Sequence, residues 1–131
     1  FNLGTALGIY EEIRDLLGHH GRRRATEIEA GRCIVPIYYA IKSNPNFPLE
    51  KYLSKTIDDN LYIELISSLY QYGALQKSEA LVKSYLEKAD EYLKKAVYSS
   101  CYKKLFPLIS NIIESMDKII CEAQKIIKRH K

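Results

Sequence analysis

Three carboxylates stand close together near the start of the chain: Glu11, Glu12 and Asp15. On a helix, Glu11 and Asp15 are four residues apart and Glu12 and Asp15 are three, so all three project over one patch. Carboxylates gathered in this way repel one another unless a cation or an arginine lies between them. Mg2+ suits such a place, because it takes carboxylate oxygens and completes its shell with water and substrate phosphates. Downstream come Arg22, Arg23, Arg24 and Arg32, whose guanidinium groups match the oxygens of a diphosphate. Carboxylates and arginines around one cavity imply metal-assisted diphosphate chemistry. The plainer reading stands beside it: acid–acid–x–x–acid segments also occur on solvated helix faces.

Gly8 and Gly4 lie on the same side of this helix, towards its start. A glycine in a helix interior costs roughly 1 kcal/mol against alanine, so a pair at four-residue spacing needs a reason. Either another helix approaches closely there, or a cavity holding a ligand lies above them.

The element carrying these residues is a helix over about Phe1 to Leu17, with Leu3, Ala6, Leu7, Tyr10, Ile13 and Leu17 forming its apolar stripe. Gly18 ends it, and a polar loop from His19 to Arg24 follows, with His19 and His20 read as exposed loop residues. A second helix is expected over about Thr26 to Ser43. Its middle, Ile34 to Ile41, is apolar almost all round and should be buried, with Pro36 marking a kink or break. Asn44-Pro45-Asn46-Phe47-Pro48 is the strongest punctuation in the chain. A short helix from Leu49 to Lys55 follows, then one capped by Asp58 or Asp59 that runs to about Tyr72 and stops at Gly73. A further helix spans about Leu75 to Val97, with Leu81, Val82, Tyr85, Leu86, Ala89, Tyr92 and Leu93 on one face. The last segment, about Ser99 to His130, contains Pro107 and is read as two helices or one kinked helix. No stretch has strand periodicity, so an all-α antiparallel helical bundle forming a single domain over residues 1–131 is expected.

Composition bounds the rest. With 47% hydrophobic and 27% charged residues the chain can fold around a core and is not a disordered tract. Its net charge of +4 suits an anionic ligand. Nucleic acid is not expected as a partner, because the basic runs, Arg22 to Arg24 and Lys125 to Lys131, read as solvated charge and not as a continuous stripe. Cys33, Cys101 and Cys121 are odd in number and lack CxxC spacing, so neither a disulfide framework nor a zinc site is indicated. Buried free thiols in a cytoplasmic protein are the expectation. No apolar run is long enough to span a membrane. The chain opens in helical register without a start signal, which suggests a fragment or processed product.

The order of its motifs resembles the trans-isoprenyl diphosphate synthases, the polyprenyl synthetase family. Asn2-Leu3-Gly4-Thr5-Ala6-Leu7-Gly8-Ile9-Tyr10-Glu11-Glu12-Ile13-Arg14-Asp15 is similar to that family's second aspartate-rich helix, where a Phe-Gln pair precedes Asp-Asp-x-x-Asp. Gly21-Arg22-Arg23-Arg24-Ala25-Thr26-Glu27-Ile28-Glu29-Ala30-Gly31-Arg32 resembles its Gly-Lys-x-x-Gly-x-Asp-Ile-x-x-Gly-Lys segment, and Ile34-Val35-Pro36 stands where Thr-Leu-Pro is usual. Tyr72-Gly73-Ala74-Leu75 and Tyr85-Leu86-Glu87-Lys88-Ala89 look like its Gly-Ala-x and Tyr-x-x-Lys-Ala helices.

The resemblance implies an isoprenoid-synthase-like fold, of which this chain would be the C-terminal half. The first aspartate-rich motif would lie upstream or on a partner chain. It implies a Mg2+-dependent prenyltransferase that binds an allylic diphosphate for condensation with isopentenyl diphosphate, making linear isoprenoid diphosphates, and that forms a homo- or heterodimer. Carried over, Glu11, Glu12 and Asp15 are the catalytic, metal-side carboxylates. Arg22 and Arg32 take the positions of the diphosphate-binding lysines, and Glu27 that of a loop aspartate. The departures keep charge and change reach: glutamates replace two aspartates, arginines replace lysines, and Leu7-Gly8 replaces Phe-Gln. They leave open the alternative of a non-catalytic regulatory or partner subunit of a prenyl diphosphate synthase.

Overall fold

Apolar residues recurring every three or four positions form helices throughout. The computed structural model describes residues 2–18, 24–95 and 99–129. Within them lie α1 (Asn2–Leu17), α2 (Thr26–Glu29), α3 (Val35–Ser43), a 3-10 turn (Leu49–Lys51), α4 (Asp59–Gln71), α5 (Ala74–Lys95) and α6 (Ser99–Arg129). No strand occurs among the described residues, so the expected all-α class is the one adopted. None of the described helices is long and apolar enough to cross a membrane.

The bundle is organised around α5, which packs against α1, α3, α4 and α6. Ala74 at its start is buried, and Leu75, Ser78, Val82, Leu86 and Ala89 are the other buried positions among its described side chains, one stripe at three- and four-residue steps. The Ser78 hydroxyl donates to the Ala74 carbonyl at 2.7 Å, which satisfies a polar group that has no exposure to water. Among the described side chains of α6 the buried positions are Ile109, Ile112, Met116, Ile119 and Ala123. Their alternating spacing of three and four is that of a coiled-coil seam. Lys95 and Ser99 are four positions apart, a reach of about 14 Å at most, so α5 and α6 must run antiparallel to pack along their length. Lys83 pairs with Glu79 at 3.0 Å and with Asp117 across the two helices, and so marks their register.

Several expectations are corrected. The helix foreseen over Thr26 to Ser43 is two helices, α2 and α3, because α2 stops after one turn at Gly31. Arg32 N–H donates to the Glu27 carbonyl and Gly31 N–H to the Ile28 carbonyl, both at 3.0 Å, with Gly31 at φ 86°. This is a Schellman cap, which favours glycine at that position. A Cβ on Gly31 would also lie 2.6 Å from the Ser54 hydroxyl. Pro36 does not break a helix; it sits in the first turn of α3, where its missing N–H removes no helical bond. Ile34, Pro36, Ile37 and Ala40 are buried as foreseen, yet Tyr38 is 55% exposed. On α5, Tyr92 is 74% exposed and lies outside the apolar face expected for it.

The short helix from Leu49 to Lys55 is a 3-10 turn only, and α6 passes through Pro107 as one helix. Asp58 does cap α4, accepting from Leu61 N–H at 2.8 Å. Cys33 and Cys121 are exposed, so the buried-thiol reading fails for both. The Cys101 side chain lies outside the described residues, as do His19 and His20.

Candidate functional site

Asp15 lies in the last turn of α1, and the chain returns past it at the start of α2. One carboxylate oxygen accepts the Thr26 hydroxyl, and the other accepts Glu27 N–H at 3.0 Å. The Asp15 main-chain carbonyl accepts Ala25 N–H at 2.8 Å. Asp15 thus supplies from α1 the acceptor that the first turn of α2 lacks locally, since Ala25, the residue before α2, has no side chain that can cap. Ala25 itself is held at φ 57°, a conformation alanine adopts at some energetic expense. The hydrogen bond to Asp15 and complete burial hold it there.

Glu12 is turned to a different helix. Its Oε2 accepts Val35 N–H at 3.0 Å, at the first residue of α3. A negative group there satisfies an orphan donor and complements the helix dipole. The adjacent Cys33 thiol is pushed up from its ordinary pKa, first by partial burial and then by the Glu12 charge. Cys33 is therefore a poor thiolate despite its exposure.

Glu11 alone among the three is fully at the surface. The carboxylates expected to converge therefore diverge. Two hold the starts of α2 and α3, and one faces solvent. Among the described residues no group of three or more His, Cys, Asp or Glu side chains is placed to hold a metal ion. A three-carboxylate Mg2+ site does not fit this arrangement.

The glycines resolve in favour of open space. A Cβ at either Gly4 or Gly8 would meet nothing within 4 Å. Among the described residues no helix packs closely over them, which removes one of the two explanations for the pair. Gly4, Gly8 and Glu11 form an exposed track along one side of α1.

Of the arginines, Arg32 is the expected phosphate ligand that can be placed. Its side chain is 67% exposed, with Nη1 2.5 Å from Glu27 Oε2. That hydrogen bond, more than the bare charge of Glu27, raises the guanidinium pKa further. Glu27 consequently links Asp15, through its N–H, to Arg32, through its carboxylate. Arg22 lies outside the described residues. Arg24, not selected as a ligand, pairs with Asp59 and stacks over the Tyr62 ring at 4.3 Å. Tyr62 donates to the Leu16 carbonyl at 2.7 Å, and burial pushes its phenol well above the ordinary value. Arg24 and Tyr62 thus tie the α1–α2 corner to α4. The roles of Thr26, Arg24 and the Val35 N–H had no signal in the sequence, because their partners lie on other elements.

No family model, curated protein or solved structure matches the chain.

Proposed function

We propose that the chain supplies one wall of a Mg2+-diphosphate site in an isoprenyl diphosphate synthase, with Glu11 as the metal-side carboxylate and Arg32 facing the diphosphate. The reading rests on the family resemblance of the motifs. The observation that carries it is the open track of Gly4, Gly8 and Glu11 on α1. The free space above these two helical glycines leaves room for a ligand along the track. Mg2+ would neutralise the diphosphate of an allylic substrate and so favour its departure, with isopentenyl diphosphate as the acceptor. This chain's own part is to bind and orient. Asp15 and Glu12 act as positioning residues that hold α2 and α3 against α1, which keeps Arg32 and its Glu27 anchor in place.

The test is calorimetric titration of an allylic diphosphate with and without Mg2+. Binding should require Mg2+ and weaken about 10-fold in Glu11→Gln, the loss of one charged contact. Mg2+-dependent binding unchanged in that variant would sink the assignment. The glycines give a second measurement. Gly8→Ala should stabilise the apo protein by about 0.5–1 kcal/mol while weakening diphosphate binding. If both stability and binding improve, the track is not a ligand path.

A partner-subunit reading has its own observation: Glu12 and Asp15 are both occupied by backbone N–H groups. A chain that binds no diphosphate but raises the activity of a catalytic synthase on mixing would establish it.

A further inference from the structure

A cleft of about 400 Å3 lies between α4 and α6, lined by Ser67, Tyr70, Gln124, Ile127 and Lys128. Its volume falls in the range of small-molecule sites, and it shares no residue with the α1 track. Within it the Gln124 Nε2 donates to the Tyr70 hydroxyl at 2.8 Å. That contact uses the phenol as an acceptor only and leaves its single hydrogen to be donated elsewhere. No acceptor for it is found among the described residues. The Ser67 hydroxyl likewise has no hydrogen-bond partner among the described residues.

Charge in the cleft has one sign. Lys128 has no ion-pair partner among the described residues. The carboxylates closest in sequence to the lining residues are directed elsewhere. Glu64, one turn before Ser67 on α4, pairs with Lys51. Glu122, two positions before Gln124, points about 200° around α6 from it. One ammonium and two hydroxyl hydrogens are therefore available to a single acceptor group. Tyr70 and Ile127 both pack against the core, so the apolar part of the wall is held in place. One positive charge with neutral donors matches the two oxygens of a carboxylate. A phosphate dianion would keep half of its charge uncompensated here.

We propose that the α4–α6 cleft binds a small organic monocarboxylate. Lys128, Tyr70 and Ser67 hold the carboxylate, and Ile127 and the Tyr70 ring cover the apolar body. Gln124 is a positioning residue that turns the Tyr70 hydroxyl hydrogen towards the ligand.

Nuclear magnetic resonance titration of the 15N-labelled full chain with sodium octanoate tests this. Amide shifts should concentrate at Ser67, Tyr70, Ile127 and Lys128. Octanol, with the same tail and no charge, should bind at least about 10-fold more weakly. Lys128→Met should cost octanoate about 10-fold and leave octanol unchanged. Tyr70→Phe keeps the ring and should also weaken octanoate alone, which separates the hydroxyl from the packing. Binding should not require Mg2+ and should survive Glu11→Gln, so it stands or falls apart from the diphosphate reading. No octanoate binding, equal binding of octanol, full retention in Lys128→Met, or tighter binding of octyl phosphate overturns the proposal.

Discussion

Asp15→Ala is expected to lower the unfolding free energy by about 2–3 kcal/mol in the absence of any metal or diphosphate. Asp15 is a charged acceptor for both the Thr26 hydroxyl and Glu27 N–H, and such bonds are stronger than neutral ones. Alanine leaves the two donors without their acceptor at the start of a helix only four residues long. Asn keeps one acceptor oxygen and replaces the other with a donor, so Asp15→Asn should lose roughly half as much. Urea denaturation followed by circular dichroism measures both. Glu11→Gln is the control: its carboxylate is exposed, and the change should stay within about 0.5 kcal/mol. If Asp15→Ala is harmless without Mg2+ and harmful only with it, Asp15 is a ligand and not a positioning residue. The comparison separates two kinds of carboxylate within one sequence motif.

A larger loss is expected from the centre of the bundle. Leu86 is fully buried on α5, the helix against which α1, α3, α4 and α6 all pack. Leu86→Ala removes buried apolar volume and leaves a cavity that several helices would have to collapse together. About 3–4 kcal/mol of stability should go, lowering Tm by about 10 °C for a domain of this size. Tyr92→Ala, six residues further along the same helix and 74% exposed, should leave thermal unfolding nearly unchanged. Differential scanning calorimetry of the two variants checks the pair. Comparable losses at both sites would mean that Tyr92 is packed against something in solution.

The hairpin shows why a periodic pattern can be right about an element and wrong about a residue. Tyr92 continues the three- and four-residue recurrence of α5 and was expected on its apolar face. Its periodicity is genuine, but burial needs an opposing surface, and at that level none of the described elements supplies one. Tyr38 on α3 follows the same logic. The Thr26 to Ser43 stretch failed in a different way. Its apolar run begins only at Cys33, but Glu27-Ile28-Glu29-Ala30 before it is equally compatible with a helix, so helical period alone did not show the break. The cap at Gly31 depends on a left-handed φ and on room beside Ser54, which is set by a segment more than twenty positions away. Capping by Asp58 was legible because donor and acceptor are three residues apart.

The sequence by itself determined that this protein is all-helical and where most of its helices begin and end, and it marked part of the inward stripe of α1 and of α5. These are local properties: hydrophobic spacing, proline and glycine punctuation, and short-range capping act within one or two turns. It also placed Glu11, Glu12 and Asp15 on one helix. Only the tertiary structure decided that they do different things. The side chains begin from one patch, but Asp15 meets the returning chain at Thr26 and Glu27, Glu12 meets the start of α3, and Glu11 meets neither. A carboxylate's role depends on which donors the fold brings within 3 Å of it. For these two the donors come from residues 11 to 23 positions downstream, beyond the reach of any helical period.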